Sequence, residues 1–395
     1  MTTSYTTSLA PSTSLAEATS RVWDAIVVGG GVAGASVAHK LALLGHHILV
    51  VERAAFPRYK VCGCCLNLRS LQHLAEAGLE SQMRALGGVP LNALSLHAGR
   101  STARLDLPGG LALSRAQLDL AMLQAATKAG AHVLTEVAAE PGDDSTPESR
   151  QVRLRAGDRT EVASARLVIA ADGLNGTFMK KAVKTTPTIH PRAYIGVGAM
   201  AQDTTFERGT IHMHCGPSGY VGAVAVEGGV VAVAAAVSPT ALRNASNTAE
   251  AVSRLVEASG HQLPIDLSAL SWGGTPPLTR SATALAAHRL VAVGDATGYI
   301  EPFTGEGMAW ALEGAAALAD HLHRCAPVAW DQAAQAWPAI WKAQIPRRQF
   351  WCRGVSMALR SPRLTSSAVR ILSRVPALSR PVVRALNQTP GSTHV

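Results

Sequence analysis

An α/β architecture is predicted, with a helix-wound parallel sheet interleaved with an antiparallel sheet and followed by a helical C-terminal segment. Three observations predict it. A strand–glycine turn–helix–strand pattern occupies residues 24–53, a second strand, glycine turn and helix occupy 290–322, and β-rich runs fill 192–237 between them. With 395 residues and 47% hydrophobic content, the chain can bury a large core, which favours two interleaved units.

The elements follow in order. Ala25 to Val28 is a short β-branched run suited to a strand buried on both faces. Gly29, Gly31 and Gly34 follow at GxGxxG spacing. The first permits a tight turn, the second lets the backbone approach a pyrophosphate, and the third lets the helix Val32 to Leu44 pack closely. At that helix's N-terminus, free N–H groups and the dipole favour negative charge. Gly45 ends the helix and His47 to Val51 forms a second strand. Glu52, with Arg53 beside it as a further cofactor-side candidate, stands 18 positions beyond Gly34. The expected spacing for an acid holding an adenosine ribose is ~20. A bare GxGxxG also marks ordinary turns. Strand, glycines, helix, strand and acid in register argue for a Rossmann-like dinucleotide-binding unit, without separating NAD from FAD.

A loop from Arg53 to Leu66 precedes helices within 67–86, short strands near 89–107 and a helix over about 114–129. Strands near 132–138, 151–156 and 160–170 follow, with 140–150 as a surface turn region. From Arg192 to Val237 the runs YIGVGAMA, TIHMHC, YVGAVAV and VVAVAAAV predict a substrate-covering antiparallel sheet. A helix near 240–259 precedes the return to the first unit at about 276. The cofactor domain is accordingly assigned to 21–88, 110–190 and 276–327, and the substrate sheet to 89–109 and 191–275. A basic helical region covers 328–388, with flexible tails at 1–20 and 389–395.

The second glycine segment narrows the chemistry. Leu290 to Val293 ends in Gly294-Asp295, and the helix from Met308 opens after Gly305-Glu306-Gly307. Ala171-Asp172-Gly173 follows the strand Arg166 to Ile169, and Arg115 opens the helix of SRAQLDLAML. In this order the landmarks resemble the p-hydroxybenzoate-hydroxylase-like flavoprotein superfamily over residues 24–325. The resemblance implies FAD, with Asp295 accepting from a ribitol hydroxyl and the Gly305–Gly307 turn facing the isoalloxazine. A helix N-terminus there stabilises a reduced, anionic flavin. Asp172, Gly173 and Arg115 are the cofactor-side residues it implies.

The segment FPRYKVCGCCLNLRSL, residues 56–71, resembles the loop of geranylgeranyl-reductase-like flavoproteins, where a Lys-x-Cys-Gly-Gly-Gly-type run lies against the isoalloxazine. Lys60, Cys62 and Gly63 match that run; Cys64 and Cys65 replace glycines. The turn Glu301-Pro302-Phe303-Thr304-Gly305-Glu306-Gly307 resembles the same branch. The resemblance implies that Cys62 sits near substrate and assists proton delivery to a double bond. Cys64 and Cys65 read as small packing residues at former glycine sites, with a redox-labile pair or a covalent flavin link as alternatives. A C-x-C-C run does not supply the ligands of a metal centre, and none is expected.

His212 and His214 alternate along TIHMHC and share one face. Facing inward they would bind or protonate a substrate oxyanion such as a phenolate; facing outward they are ordinary polar residues of a half-exposed strand. Tyr299 is the stronger active-site candidate, ahead of Tyr220 and Trp272.

Charge is distributed unevenly. No acidic residue follows Asp331, whereas ten Lys or Arg do, so the net charge of +9 belongs to the C-terminal segment. On a helix over 350–360, Trp351, Val355, Ala358 and Leu359 share a face opposite Arg353 and Arg360. This face reads first as a cap packed on the body with its arginines solvated. The alternative is docking on an anionic membrane or an acidic carrier protein. Nucleic acid is not expected, since no binding motif is present. Residues 1–20 lack a signal-peptide pattern, no run of 18 uninterrupted apolar residues occurs, and the cysteines do not suggest a disulfide framework. A cytoplasmic location, or a peripheral one at a membrane, is the expectation.

These features predict an FAD-dependent oxidoreductase acting on a lipophilic unsaturated or phenolic metabolite of isoprenoid, quinone or polyketide class. Reduced flavin would deliver hydride to a double bond or form a C4a-hydroperoxide that oxygenates a ring. No second GxGxxG unit is visible, so electrons come from NAD(P)H at a shared surface or from a separate reductase. A halogenase is disfavoured: no Lys occurs from Val61 to Thr127, and WKAQIP, residues 341–346, lies after Gly294-Asp295 with one tryptophan. A non-catalytic flavin-binding interaction protein is the reading from a different class.

Overall fold

The computed structural model describes residues 9–282, 284–301, 303 and 305–387. The strand Val22–Val28 lies inside a mostly parallel sheet whose order is Ala286–Ala287, Leu290–Ala292, Arg159–Ala170, Val22–Val28, Ile48–Val51 and His132–Leu134, with Ala286–Ala287 antiparallel to its neighbour. Its apolar, β-branched sequence suits burial on both faces. On one face the glycine-turn helix Val32–Leu43 packs with Arg115–Lys128 and Gly307–His323 through Leu41, Leu123, Leu318 and their neighbours. Trp23, Ile26, Leu49, Val168 and Phe178 fill the other face.

Two expectations are corrected here. Residues 9–20 do not trail away: Ser14 caps the helix Leu15–Thr19, Ala18 is fully buried, and the Ser12 N–H donates to the Val133 carbonyl. Much of the expected 140–150 turn is strand, because Ala138–Ser145 pairs with Arg150–Ala156. Pro141 and Gly142 are tolerated there because the strand lies at an edge and the register is irregular between Arg150 and Val152.

The second layer is a seven-stranded sheet. Its order is Gly273–Pro277, Ile195–Gln202, Val230–Val237, Gly219–Ala225, Thr210–Gly216, Ala93–Ala98 and Ser101–Asp106. Side chains alternate between its faces. Val221, Val233 and Ala235 pack on Val252, Leu255 and Val256 of the helix Thr248–Ala258. Met213, Tyr220 and Ala236 look the other way, toward the glycine turns.

Three helices end the described chain: Trp330–Leu359, Pro362–Arg374 and Arg380–Asn387. The first is fastened to the body by Trp330 and Trp337, both fully buried, whose indole N–H groups donate to the Leu322 and Ala292 carbonyls at 2.9 Å. Further along it, Cys352 and Ser356 are buried. Arg360 is not solvated as expected: it pairs with the buried Glu301 at 2.9 Å and donates to the Arg192 carbonyl at 2.6 Å. The side chains of Trp351, Arg353 and Val355 and the tail 389–395 lie outside the described residues. No described helix is long and apolar enough to cross a membrane.

Candidate functional site

Four segments that are remote in sequence end side by side. Val28 pairs with both Ala170 and Val51, and Ala170 pairs with Ala292, so the strands carrying Gly29, Glu52, Asp172 and Asp295 finish at one edge of the parallel sheet. That carboxyl edge is where open α/β sheets bind ligands. The turn itself needs glycine: Gly29 has φ +106°, and a Cβ on Gly34 would collide with the Gly29 carbonyl oxygen.

Gly31 opens onto a cationic cradle. A Cβ there would lie 3.6 Å from Arg58 Nη2, 3.7 Å from Arg115 Nη2 and 4.0 Å from Lys60 Nζ. Three cations thus meet at the N-terminus of Val32–Leu43, where the helix dipole already favours an anion. The fully buried Asp119 holds Arg115 by two 2.8 Å bonds and approaches Arg58 at 3.2 Å. Burial, then the neighbouring Arg115, pushes the Lys60 ammonium below its ordinary range. Glu52 accepts from the Gly30 N–H at 2.9 Å and the Ala54 N–H at 3.0 Å, which orders the glycine turn. Asp172 accepts from the Phe178 N–H at 2.8 Å, while its second oxygen is buried with no partner among the described residues. Burial raises the carboxyl groups of both Asp172 and Asp295.

A cavity of about 260 Å³ runs from this cradle to the substrate sheet. Gly31, Lys60, Gly63, Arg115, Gly173, Asp295, Gly305 and Gly307 line its polar end. Leu91, Leu94, Ile211, Met213, Tyr220, Val224 and Phe303 line an apolar end. Tyr299 lies near Asp295, Cys62 and Tyr220, and so belongs to both. Cys62 faces the cavity interior. A hydrogen bond with the Cys64 thiol, followed by the Arg115 charge, holds it below the ordinary thiol range against the opposing effect of burial.

Several expected residues lie elsewhere. His212 and His214 do not line the cavity, because alternation sends Ile211 and Met213 inward and the histidines to the opposite face. There His212 pairs with Glu207 at 3.0 Å, and His214 bonds Ser259 at 3.2 Å and stacks on His97 with centroids 4.6 Å apart. Arg53 is exposed; the cation beside Glu52 is Arg58, at 3.5 Å. Trp272 donates to the Leu267 carbonyl within the sheet's outer core. Pro302 lies outside the described residues. Among the described residues, no cluster of His, Cys, Asp and Glu has the arrangement of a metal site.

Some contributors were missed in the sequence. Asp119 sits four residues after Arg115, a helical ion-pair spacing that was available to be read. Arg69, nearly fully buried, bridges Glu306 at 2.8 Å and Glu313 at 2.7 Å, with Asn67 also donating to Glu306. The seven-residue spacing of the two glutamates puts them on one helix face, which was the signal for a facing cation. This network fixes the start of Gly307–His323 beside the cavity.

The residues fit FAD. The cationic cradle suits its pyrophosphate, the unpartnered Asp172 oxygen suits a donor, and one cavity extends from the cradle past Asp295 to Gly305 and Gly307. Comparison with known proteins agrees. The chain is 26% identical over 393 residues to menaquinone reductase of Mycobacterium tuberculosis, covering 92% of this chain and 90% of that protein. A geranylgeranyl bacteriochlorophyll reductase-like structure from Thermoplasma acidophilum superposes with a TM-score of 0.72 at 21% identity, covering 92% and 98%. A flavin-dependent brominase shares the fold, with a TM-score of 0.75 at 14% identity over 93% and 94%. The family model for the FAD binding domain matches residues 23–328. The protein is an FAD-dependent oxidoreductase of the FAD binding domain family.

Proposed function

We propose that the protein reduces a carbon–carbon double bond in a lipophilic substrate of isoprenoid or isoprenoid-quinone class. The observation that carries this reading is the apolar half of the cavity, which opens on Cys62 and Tyr299 and, among the described residues, receives no histidine. Bound FAD, once reduced, supplies hydride. The chain's own part is to exclude water with Ile211, Met213, Val224 and Phe303, to hold the cofactor phosphates with Arg58, Lys60 and Arg115, and to provide a proton. Cys62 is the proposed donor: a thiol shifted toward neutral pH can give up a proton and recover it in each turnover. Oxygenation of a phenol needs a base to form the phenolate, and the histidines suited to that role sit on the far side of the sheet. The relative named for menaquinone reduction, similar over most of both chains, supports the same substrate class. Electrons would come from NAD(P)H at the shared surface or from a separate reductase. Incubating reduced enzyme with menaquinone or a geranylgeranyl glycerolipid in micelles without oxygen tests the reading. A prenyl chain heavier by two hydrogens, read after any quinol has been reoxidised to quinone, supports it; a product gaining one oxygen, formed only in air, would replace it with a monooxygenase.

The substrate's source belongs to the same reading. On Pro362–Arg374, Thr365 and Val369 are buried against the body, whereas Leu364 and Ile371 are 62% and 53% exposed on a neighbouring face. Leu378 continues that exposure at 58%. Arg363, Arg370 and Arg374 flank the apolar stripe, and the next helix ends at Asn387, which lines the cavity. An apolar stripe with an arginine border fits an anionic bilayer. We propose peripheral membrane docking through this face, close to the cavity.

A further inference from the structure

Cys64 adopts a backbone conformation that favours glycine. Its φ is +56°, and of the five non-glycine residues with positive φ among those described it is the one that lines the cavity. A buried side chain kept in a left-handed conformation beside a reaction site is grounds for asking what it does there. The turn folds the chain back on itself: the Cys64 N–H donates to Cys62 Sγ at 3.4 Å, and the Cys64 thiol reaches the Cys62 carbonyl at 3.6 Å. Cys65 is directed elsewhere, its thiol donating to the Gly63 carbonyl at 3.0 Å. Cys62 and Cys64 both line the cavity, Cys62 near Arg115 and Cys64 only 2% exposed. A cavity-lining thiol with a second thiol folded against it two residues on is the arrangement of a peroxide-reactive cysteine and its resolving partner.

We propose that Cys62 and Cys64 form a reversible two-electron dithiol/disulfide site in the cavity wall, oxidised by hydrogen peroxide and restored by a thiol reductant. The Cys62 thiolate attacks one peroxide oxygen, so an S–O bond forms, the O–O bond breaks and, after protonation, one water leaves. The Cys64 sulfur then attacks Cys62; the S–S bond forms, the S–O bond breaks, and the Cys64 proton leaves with the second water. Two thiols and one hydrogen peroxide thus give one disulfide and two waters, the sulfurs losing two electrons to the oxygens. Two equivalents of a small thiol reverse the step through a mixed disulfide. A disulfide across one intervening residue closes a strained ring and belongs to the readily reduced class. On the reading that Cys62 supplies the proton, oxidation removes the donor and switches turnover off.

Thiol chemistry on the FAD-loaded enzyme tests this with a readout independent of turnover. After treatment with hydrogen peroxide, the fragment Val61 to Arg69 should be lighter by two hydrogens and retain one alkylatable thiol, at Cys65. Dithiothreitol should restore all three thiols. Cys64→Ser and Cys64→Gly, the latter suited to the positive φ, should instead accumulate Cys62 sulfenic acid, trapped by dimedone. Cys65→Ser should still form the disulfide. A two-hydrogen loss that survives in Cys64→Gly, a bridge that includes Cys65, or sulfenic acid in the unaltered enzyme would overturn the proposal. The flavin spectrum, recorded in parallel, and turnover after reduction distinguish failure of this site from failure of the cofactor or proton-donor readings.

Discussion

Acidification should weaken the substrate sheet through the histidines on its outer face. Burial, followed by neighbouring His97, His261 and His212, pushes His214 from 6.5 down to about 3. His97 is pushed to about 4, again chiefly by burial. The nearby charged groups are Glu207, which pairs with His212, and Arg104, which pairs with Glu207. An unfolded chain takes up a proton at His214 near pH 6.5, whereas the folded one resists until about pH 3. Stability is therefore complete above the unfolded value and declines as the pH falls below it. At pH 5 the gap is about 1.5 units, and at about 1.4 kcal/mol per unit His214 alone costs about 2 kcal/mol. That is a sizeable part of a typical total of about 5–15 kcal/mol. Urea unfolding at pH 7 and pH 5, followed by tryptophan fluorescence with excess FAD, measures the loss. His214→Gln, which can keep the bond to Ser259, should lose about 2 kcal/mol less than the unaltered protein over that interval. Equal losses in both would refute the reasoning.

Other outcomes follow from the site. Gly34→Ala should yield protein that fails to retain FAD, read as loss of flavin absorbance after gel filtration, because its Cβ collides with the glycine turn. Arg115→Ala should weaken FAD binding roughly 10- to 100-fold by fluorescence titration, the scale of a lost charge-assisted bond. It should also move the pH at which Cys62 is alkylated toward the ordinary thiol value. Gly222→Leu should raise KM for the lipid while leaving the flavin spectrum intact, since a Cβ at Gly222 would meet Met213 Sδ at 2.8 Å on the apolar wall. Leu364→Glu with Ile371→Glu should abolish co-sedimentation with vesicles containing anionic phosphatidylglycerol without altering FAD content. Unchanged vesicle binding would exclude that face.

The cofactor end was legible in the sequence because backbone requirements leave a local mark. Gly29 and Gly34 must be glycine for steric reasons, and buried apolar strand ends precede the turns at Gly29, Asp172 and Asp295. The side of the sheet that His212 and His214 occupy was not legible. Alternation establishes that they share a face, but only the pairing of Thr210–Gly216 with its neighbours, and the helix Thr248–Ala258 behind it, decides which face that is. Arg69 was missed because its partners Glu306 and Glu313 lie more than 230 residues away and meet it only in the folded chain. Glu52 and Arg53 show the same limit on a smaller scale: the carboxylate turns inward and the adjacent guanidinium outward, leaving Arg58 as the cation beside the carboxylate. The basic C-terminal bias was plain in the composition. The exposed apolar stripe on the second C-terminal helix was not legible, because Leu364 and Ile371 become visible as a stripe only once Thr365 and Val369 are seen to be buried.

Flavin reoxidation without oxygen tests the central claim most directly. Enzyme reduced stoichiometrically under argon and mixed with a geranylgeranyl glycerolipid or menaquinone in micelles should regain the oxidised flavin spectrum, with one lipid double bond saturated per flavin. A flavin that stays reduced with every such lipid, and reoxidises only when air is admitted, would contradict it.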